Sequence, residues 1–148
     1  MSETVFDTPD AAEAAYLRAF QSADLEAMME VWADDEDIVC THPIPGPQQQ
    51  GKRAVLEGWL TVFARELDVQ VSLLNVRKIV LGDVAIHCGE EHVTRASNQT
   101  LRGINNFTNL FRRTENGWRL IAHHASPGPS ASRRRDSPSP EVPGSHLH

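Results

Sequence analysis

Polar and apolar residues alternate most regularly between Gln99 and Pro127, where QTLRGINNFTNLFRRTENGWRLIAHHASP reads as two long strands joined by a tight turn at Asn116-Gly117. A two-residue turn at that dipeptide and a four-residue loop from Thr114 to Gly117 predict the same facing. Phe107, Asn109 and Phe111 share one side with Trp118, Leu120, Ala122 and His124, and Ile104, Leu110, Ile121 and His123 take the other. Upstream, the period lengthens to that of helices. Thr8-Pro9-Asp10 is a helix start, and Ala12, Tyr16 and Phe20, with Leu17 beside them, form its apolar stripe to about Ser22. Asp24 caps a second helix whose stripe is Leu25, Met28, Met29 and Trp32. A short strand, Ile38 to His42, ends at Pro43, and a loop stiffened by prolines 43, 45 and 47 leads to Gly51. The helix opened there runs to about Glu66 with Val55, Leu56, Trp59, Leu60 and Phe63 on its apolar face.

Two further strands complete the pattern. In the first, Val69, Val71 and Leu73 alternate with polar residues, then the apolar phase switches to Leu74 and Val76, which predicts a bulge and strong bending. Gly82-Asp83 turns the chain into the second, Val84 to Thr94, and Ser97-Asn98 turns it back. The predicted fold class is α+β: three N-terminal helices packed in a strongly curved antiparallel sheet, cone-shaped, over residues 1–126. Residues 127–148 are rich in Pro, Ser and Arg without apolar periodicity and are predicted to be a disordered tail.

Composition narrows the function classes. The 148 residues carry a formal net charge of −6, and the tail holds three arginines against two acidic residues, so the domain itself is more acidic still. Such a surface repels phosphate backbones, which argues against nucleic acid. No apolar run approaches the roughly 20 residues that span a bilayer, and no basic-then-apolar leader opens the chain, so no membrane partner and a cytoplasmic location are expected. Cys40 and Cys88 stand far apart without a paired motif and read as small apolar residues. The acidic run Asp34 to Asp37 reads as a solvated loop. No metal site is expected, because His87 and His92, flanking Glu91, project to opposite sides of their strand.

Three patterns carry a resemblance to a known family: AYLRAFQSADLEAMMEVWADD, the strand ending Thr41-His42-Pro43 before the Gly51 helix, and FTNLFRRTENGWRLIAHH. Together they resemble the nuclear transport factor 2-like superfamily, in particular its SnoaL-like and ketosteroid isomerase-like bacterial members. That resemblance implies a cone with a hydrophobic pocket and a homodimer formed through the convex face of the sheet. It leaves two function classes open, cofactor-free acid–base catalysis on a small apolar carbonyl or polycyclic compound and a non-catalytic ligand-binding or association module. In ketosteroid isomerases a tyrosine stands eight residues before the Asp-Leu of the second helix, as Tyr16 does here. His42 before Pro43 takes the place of a carboxylate base, and Asn109 that of a protonated aspartate.

Proton removal beside a carbonyl needs a base near neutral pKa and donors aimed at the developing oxyanion. The expected roles follow: His42 as base, Tyr16 and Asn109 as donors, His124 and Glu91 as substrate-orienting groups. Trp59, Phe63, Phe107 and Phe111 supply apolar walls, and neither metal nor organic cofactor is called for. Asn109 and His124, set among aromatic and aliphatic neighbours, must find hydrogen-bond partners, since an unpaired buried amide costs about 1–3 kcal/mol.

Overall fold

The structure, a computed structural model, describes residues 4–65 and 68–129. Of the expected disordered tail, 127–148, residues 130–148 lie outside the described residues, while Pro127 ends the last strand and the Gly128 amide donates to the Ile104 carbonyl; the third helix ends at Phe63, three residues before the expected Glu66. Helix α1 (Pro9–Ser22) begins where Thr8 accepts a hydrogen bond from the Ala11 amide at 3.0 Å, and it ends at Ala23 in the left-handed conformation. Helix α2 (Leu25–Val31) is capped by Asp24, which accepts from the Ala27 amide at 3.0 Å. Strands β1 (Val39–Thr41) and β2 (Gln49–Gln50) precede helix α3 (Lys52–Phe63), and β3 (Val69–Leu81), β4 (Val84–Arg95), β5 (Leu101–Thr114) and β6 (Gly117–Pro127) follow.

The strands form one sheet in the order β2-β1-β6-β5-β4-β3. The meander β3 to β6 is antiparallel, as its turn signals predict. The sheet as a whole is mixed, which corrects the all-antiparallel expectation: β1 pairs parallel with β6, Val39 to Thr41 lying beside Ala122 to His124. Isolated parallel bridges Phe6 to Gly117 and Trp32 to Leu120 continue that edge, so three N-terminal segments line up along β6. The helices cover the concave side, and Met28, Val31, Ile38, Cys40, Val55, Trp59, Phe111 and Leu120 form the core with essentially no exposure. In α3 only Val55 and Trp59 are buried, and Leu60 is exposed, so its covered face is narrower than the apolar spacing suggests.

Three bulges interrupt the sheet among the described residues: one at Arg102 in β5, where Val93 faces Gly103 and Thr94 faces Leu101, and two that bear on the interior. The first of those two lies where the apolar phase of β3 switches: register shifts between Leu74 and Arg77, with Asn75 at φ 56°. Opposite it stands Gly89, whose missing side chain lets the backbone of residues 74–76 approach. The second was not foreseen. Phe111 faces Leu120 while Leu110 faces Ala122, so Ile121 is an extra residue in β6 and reverses the facing of everything after it. The hairpin takes neither expected loop: Thr114 pairs with Gly117 at the strand ends, so the turn is the two residues Glu115-Asn116, one position earlier than the Asn116-Gly117 turn expected. Asn116 keeps negative φ, and only Gly117, at φ 95° and against the Phe6 backbone, uses the left-handed region.

A Cβ at Gly89 would meet the carbonyl oxygens of Leu74 and Asn75 at 2.9 and 3.0 Å, whereas one at Gly103 meets nothing within 4 Å. Gly89→Ala is therefore expected to lower the free energy of unfolding by about 1–3 kcal/mol in urea titration. Gly103→Ala should leave the midpoint almost unchanged.

Candidate functional site

Four polar side chains from three elements meet between the helices and the sheet. Tyr16 and Glu13 lie on the buried face of α1, Asn109 on β5 and His123 on β6, each at most 5% exposed. The Tyr16 hydroxyl is 3.2 Å from Nε2 of His123, and Nδ1 of His123 is 2.6 Å from Oδ1 of Asn109. The Asn109 amide donates to Oε2 of Glu13 at 3.3 Å. On its other side Oε1 of Glu13 lies 3.0 Å from Nδ1 of His87, an electrostatic contact without hydrogen-bond alignment. His87 in turn approaches Asp10 at 3.8 Å, and Asp10 pairs with Lys78 at 2.8 Å near the surface.

The Tyr16 end of this chain opens on a cavity of about 60 Å³ walled by Tyr16, His42, Trp59, Glu91, Asn105 and His123. That is room for about two waters, far below the roughly 300 Å³ at which typical organic-ligand pockets begin. Burial sets the protonation of the wall. It pushes the Tyr16 phenol well above its usual range, with the charge of Glu91 adding to the effect. It holds His42 below its ordinary value and drives His123 down to about 3, with the nearby imidazoles of His42 and His124 adding to the latter shift. It raises the Glu91 carboxyl, and a hydrogen bond donated by Asn105 at 3.1 Å offsets part of that rise. His42 stands edge-on to Trp59, ring centres 4.7 Å apart, and its Nε2 is 3.6 Å from the Cys40 thiol.

A larger groove of about 850 Å³ lies outside the cone, between α2, α3 and the β5–β6 hairpin. None of the expected site residues lines it. Asp10, Glu13 and His87 offer ligand atoms within 4.8 Å of one another, the one cation-compatible cluster among the described residues, and the Lys78 ammonium already neutralises Asp10 there.

The family model for the SnoaL-like domain matches residues 10–130. The chain belongs to the SnoaL-like domain family. A proposed calcium/calmodulin-dependent protein kinase type II association domain from Thiobacillus denitrificans is 36% identical, with a TM-score of 0.80 over 86% of this chain and 100% of that one. A proposed dehydratase of the NTF2-like family from Streptomyces avermitilis is 29% identical, with a TM-score of 0.71 over 83% of this chain and 100% of its own. A nuclear transport factor 2-like protein from Salmonella enterica shares the fold at 18% identity, covering 81% of this chain and 88% of that one with a TM-score of 0.67. Comparison with curated proteins finds no match.

Of the residues expected in the site of this SnoaL-like domain, Tyr16, His42, Trp59 and Glu91 share the cavity wall. Asn109 stands behind His123 rather than on the wall, its oxygen occupied by that imidazole. Phe107 and Phe111 are buried away from the wall, Phe111 against His87, and Phe63 packs on Trp59 with ring centres 5.5 Å apart. The expectation for His124 is corrected. The extra residue at Ile121 turns it out to solvent and turns His123 inward, so the two histidines exchange sides. The sequence reading also missed Asn105 and Glu13. Asn105 shares the facing of Phe107 and Asn109, and Glu13 sits three residues before Tyr16 on one helix face, so both carried a periodic signal.

A histidine held at about 3 in the fold and near 6.5 when unfolded binds its proton only in the unfolded chain over that interval. Its contribution to stability is whole above pH 6.5 and shrinks as pH falls toward 3, by at most roughly 1.4 kcal/mol per pH unit. Urea midpoints measured from pH 7 to pH 4 should fall more steeply for the wild type than for His123→Phe. Equal slopes would contradict the assignment.

Proposed function

We propose that this SnoaL-like domain binds a small, largely apolar, carbonyl-bearing molecule in its inner cavity. There it would carry out acid–base chemistry with its own side chains, His42 and Glu91 being the proton-transfer groups. The observation that carries the reading is the enclosure of both in one wall, with burial moving the two in opposite directions toward each other: the carboxyl up from its ordinary range and the imidazole down. A buried imidazole held below its ordinary value stays neutral as a base, and a buried carboxyl raised above its own is the better acid, which suits proton removal and return. Trp59 supplies the apolar wall, and the volume favours a substrate or head group of a few heavy atoms over a polycyclic one. The proposed dehydratase from Streptomyces avermitilis is in keeping with this chemistry.

The same reading includes a homodimer through the convex face of the sheet. There Ile79, Ile86, Leu110 and Ala122 are half-buried, and no helix among the described residues covers them. It also includes a cytoplasmic location. No helix among the described residues is long and apolar enough to cross a membrane.

An association module is the second reading, favoured by the small cavity and by the Thiobacillus denitrificans protein, itself a proposed kinase association domain. Exchange of the carbon-bound protons of small ketones into heavy water, followed by NMR, separates the two. Catalysis predicts acceleration over buffer that falls about a hundredfold or more in His42→Ala and in Glu91→Gln. Exchange at the buffer rate, together with no ligand-induced rise in melting temperature, would leave the association module. Light scattering at micromolar concentration is expected to give twice the chain mass, and a clean monomer would contradict the convex-face dimer.

A further inference from the structure

The direction of every hydrogen bond between Glu13 and Tyr16 is set from one end. The Asn109 amide nitrogen donates to Glu13, so its oxygen is the atom turned to His123. An amide oxygen can only accept, so Nδ1 of His123 carries the ring proton and donates at 2.6 Å. With the ring neutral, Nε2 holds a lone pair, and the partner 3.2 Å away, the Tyr16 hydroxyl, must be the donor. The single phenolic proton of Tyr16 is therefore committed inside the protein. What the Tyr16 oxygen has left for the cavity is a lone pair.

We infer that Tyr16 accepts a hydrogen bond from the bound molecule, that the substrate is a hydroxy-carbonyl compound whose hydroxyl meets Tyr16, and that Glu13 fixes this preference from behind by orienting Asn109 and His123. The inference rests on the proposed function and deepens it. It also departs from the oxyanion-donor role expected for Tyr16: a bare carbonyl oxygen placed there would face lone pair against lone pair. A site that can only accept discriminates by leaving its oxygen unpaired when the ligand brings no donor. Glu13 touches no substrate in this arrangement and is a positioning residue.

The test uses three ligands of one skeleton, hydroxyacetone, methoxyacetone and acetone, with binding to the whole chain followed by ligand-observed NMR at millimolar concentration. Hydroxyacetone can donate, methoxyacetone offers an ether oxygen in the same place, and acetone offers nothing. Hydroxyacetone is expected to bind about tenfold more tightly than either of the others, and Tyr16→Phe should abolish the difference. The nitrogen shifts of the His123 ring, read independently of any ligand, should show the Nδ1–H tautomer in the wild type. In Glu13→Gln, where the new amide can present either face to Asn109, they should show a mixture of tautomers. An Nε2–H ring in the wild type, an unchanged ring in Glu13→Gln, or tighter binding of acetone or methoxyacetone than of hydroxyacetone overturns this inference alone. Binding of none of the three overturns the proposed function and this inference together.

Discussion

The constraint on which the interior depends is a buried carboxylate that must be satisfied. Glu13 lies on the inner face of α1 at 5% exposure, and a carboxylate taken from water costs several kcal/mol unless charges or donors compensate it. Here the compensation comes from two strands: the Asn109 amide on one oxygen and the His87 ring beside the other. Each of these groups has a second polar atom to satisfy, and the chain of partners continues through His123 to Tyr16. One buried carboxyl group thus fixes how α1 sits against β4, β5 and β6. Apolar packing alone would tolerate small slips of the helix, whereas this chain loses its hydrogen bonds if any member shifts by an ångström or so.

The second organising element is the bulges in β3 and β6. Each adds one residue to one strand, which raises local twist and bends the sheet around the helices. The bulge opposite Gly89 curls the outer strands toward α1, bringing Glu91 onto the same cavity wall as Tyr16. The one at Ile121 places His123 inside. Without that extra residue the inner position would hold His124 and the hydrogen-bond chain from Glu13 would have no third member.

Fold and chemistry separate in this family. The cone is shared with a proposed association domain and a proposed dehydratase, so membership by itself does not choose between them. This chain sets three groups on a small wall: a carboxyl raised by burial, a histidine lowered by it, and a tyrosine hydroxyl hydrogen-bonded to His123. Those properties come from side chains on α1, β1, β4 and β6, and none belongs to one local motif. Under the proposed function, the small volume would leave selectivity to the direction of a few hydrogen bonds more than to apolar area.

The sequence by itself determined the elements and their order, except the short β2, which falls in the stretch that reads as a loop. Thr8 and Asp24 cap their helices, the phase switch at Leu74 marks a real bulge, and the alternation of Phe107, Asn109 and Phe111 gives the true inner face of β5. These are legible because caps, turns and periodicity act between residues a few positions apart. Four cavity residues, Tyr16, His42, Trp59 and Glu91, could be named for the same reason, from their places on periodic elements or beside a proline. Only the tertiary structure decided that β1 runs parallel to β6, that His123 and not His124 points inward, and that Glu13 meets Asn109 and His87. Register across a sheet, the position of an extra residue, and the partner of a buried charge are each settled between segments tens of residues apart. A one-residue shift in a strand reverses its faces without leaving a mark on local alternation.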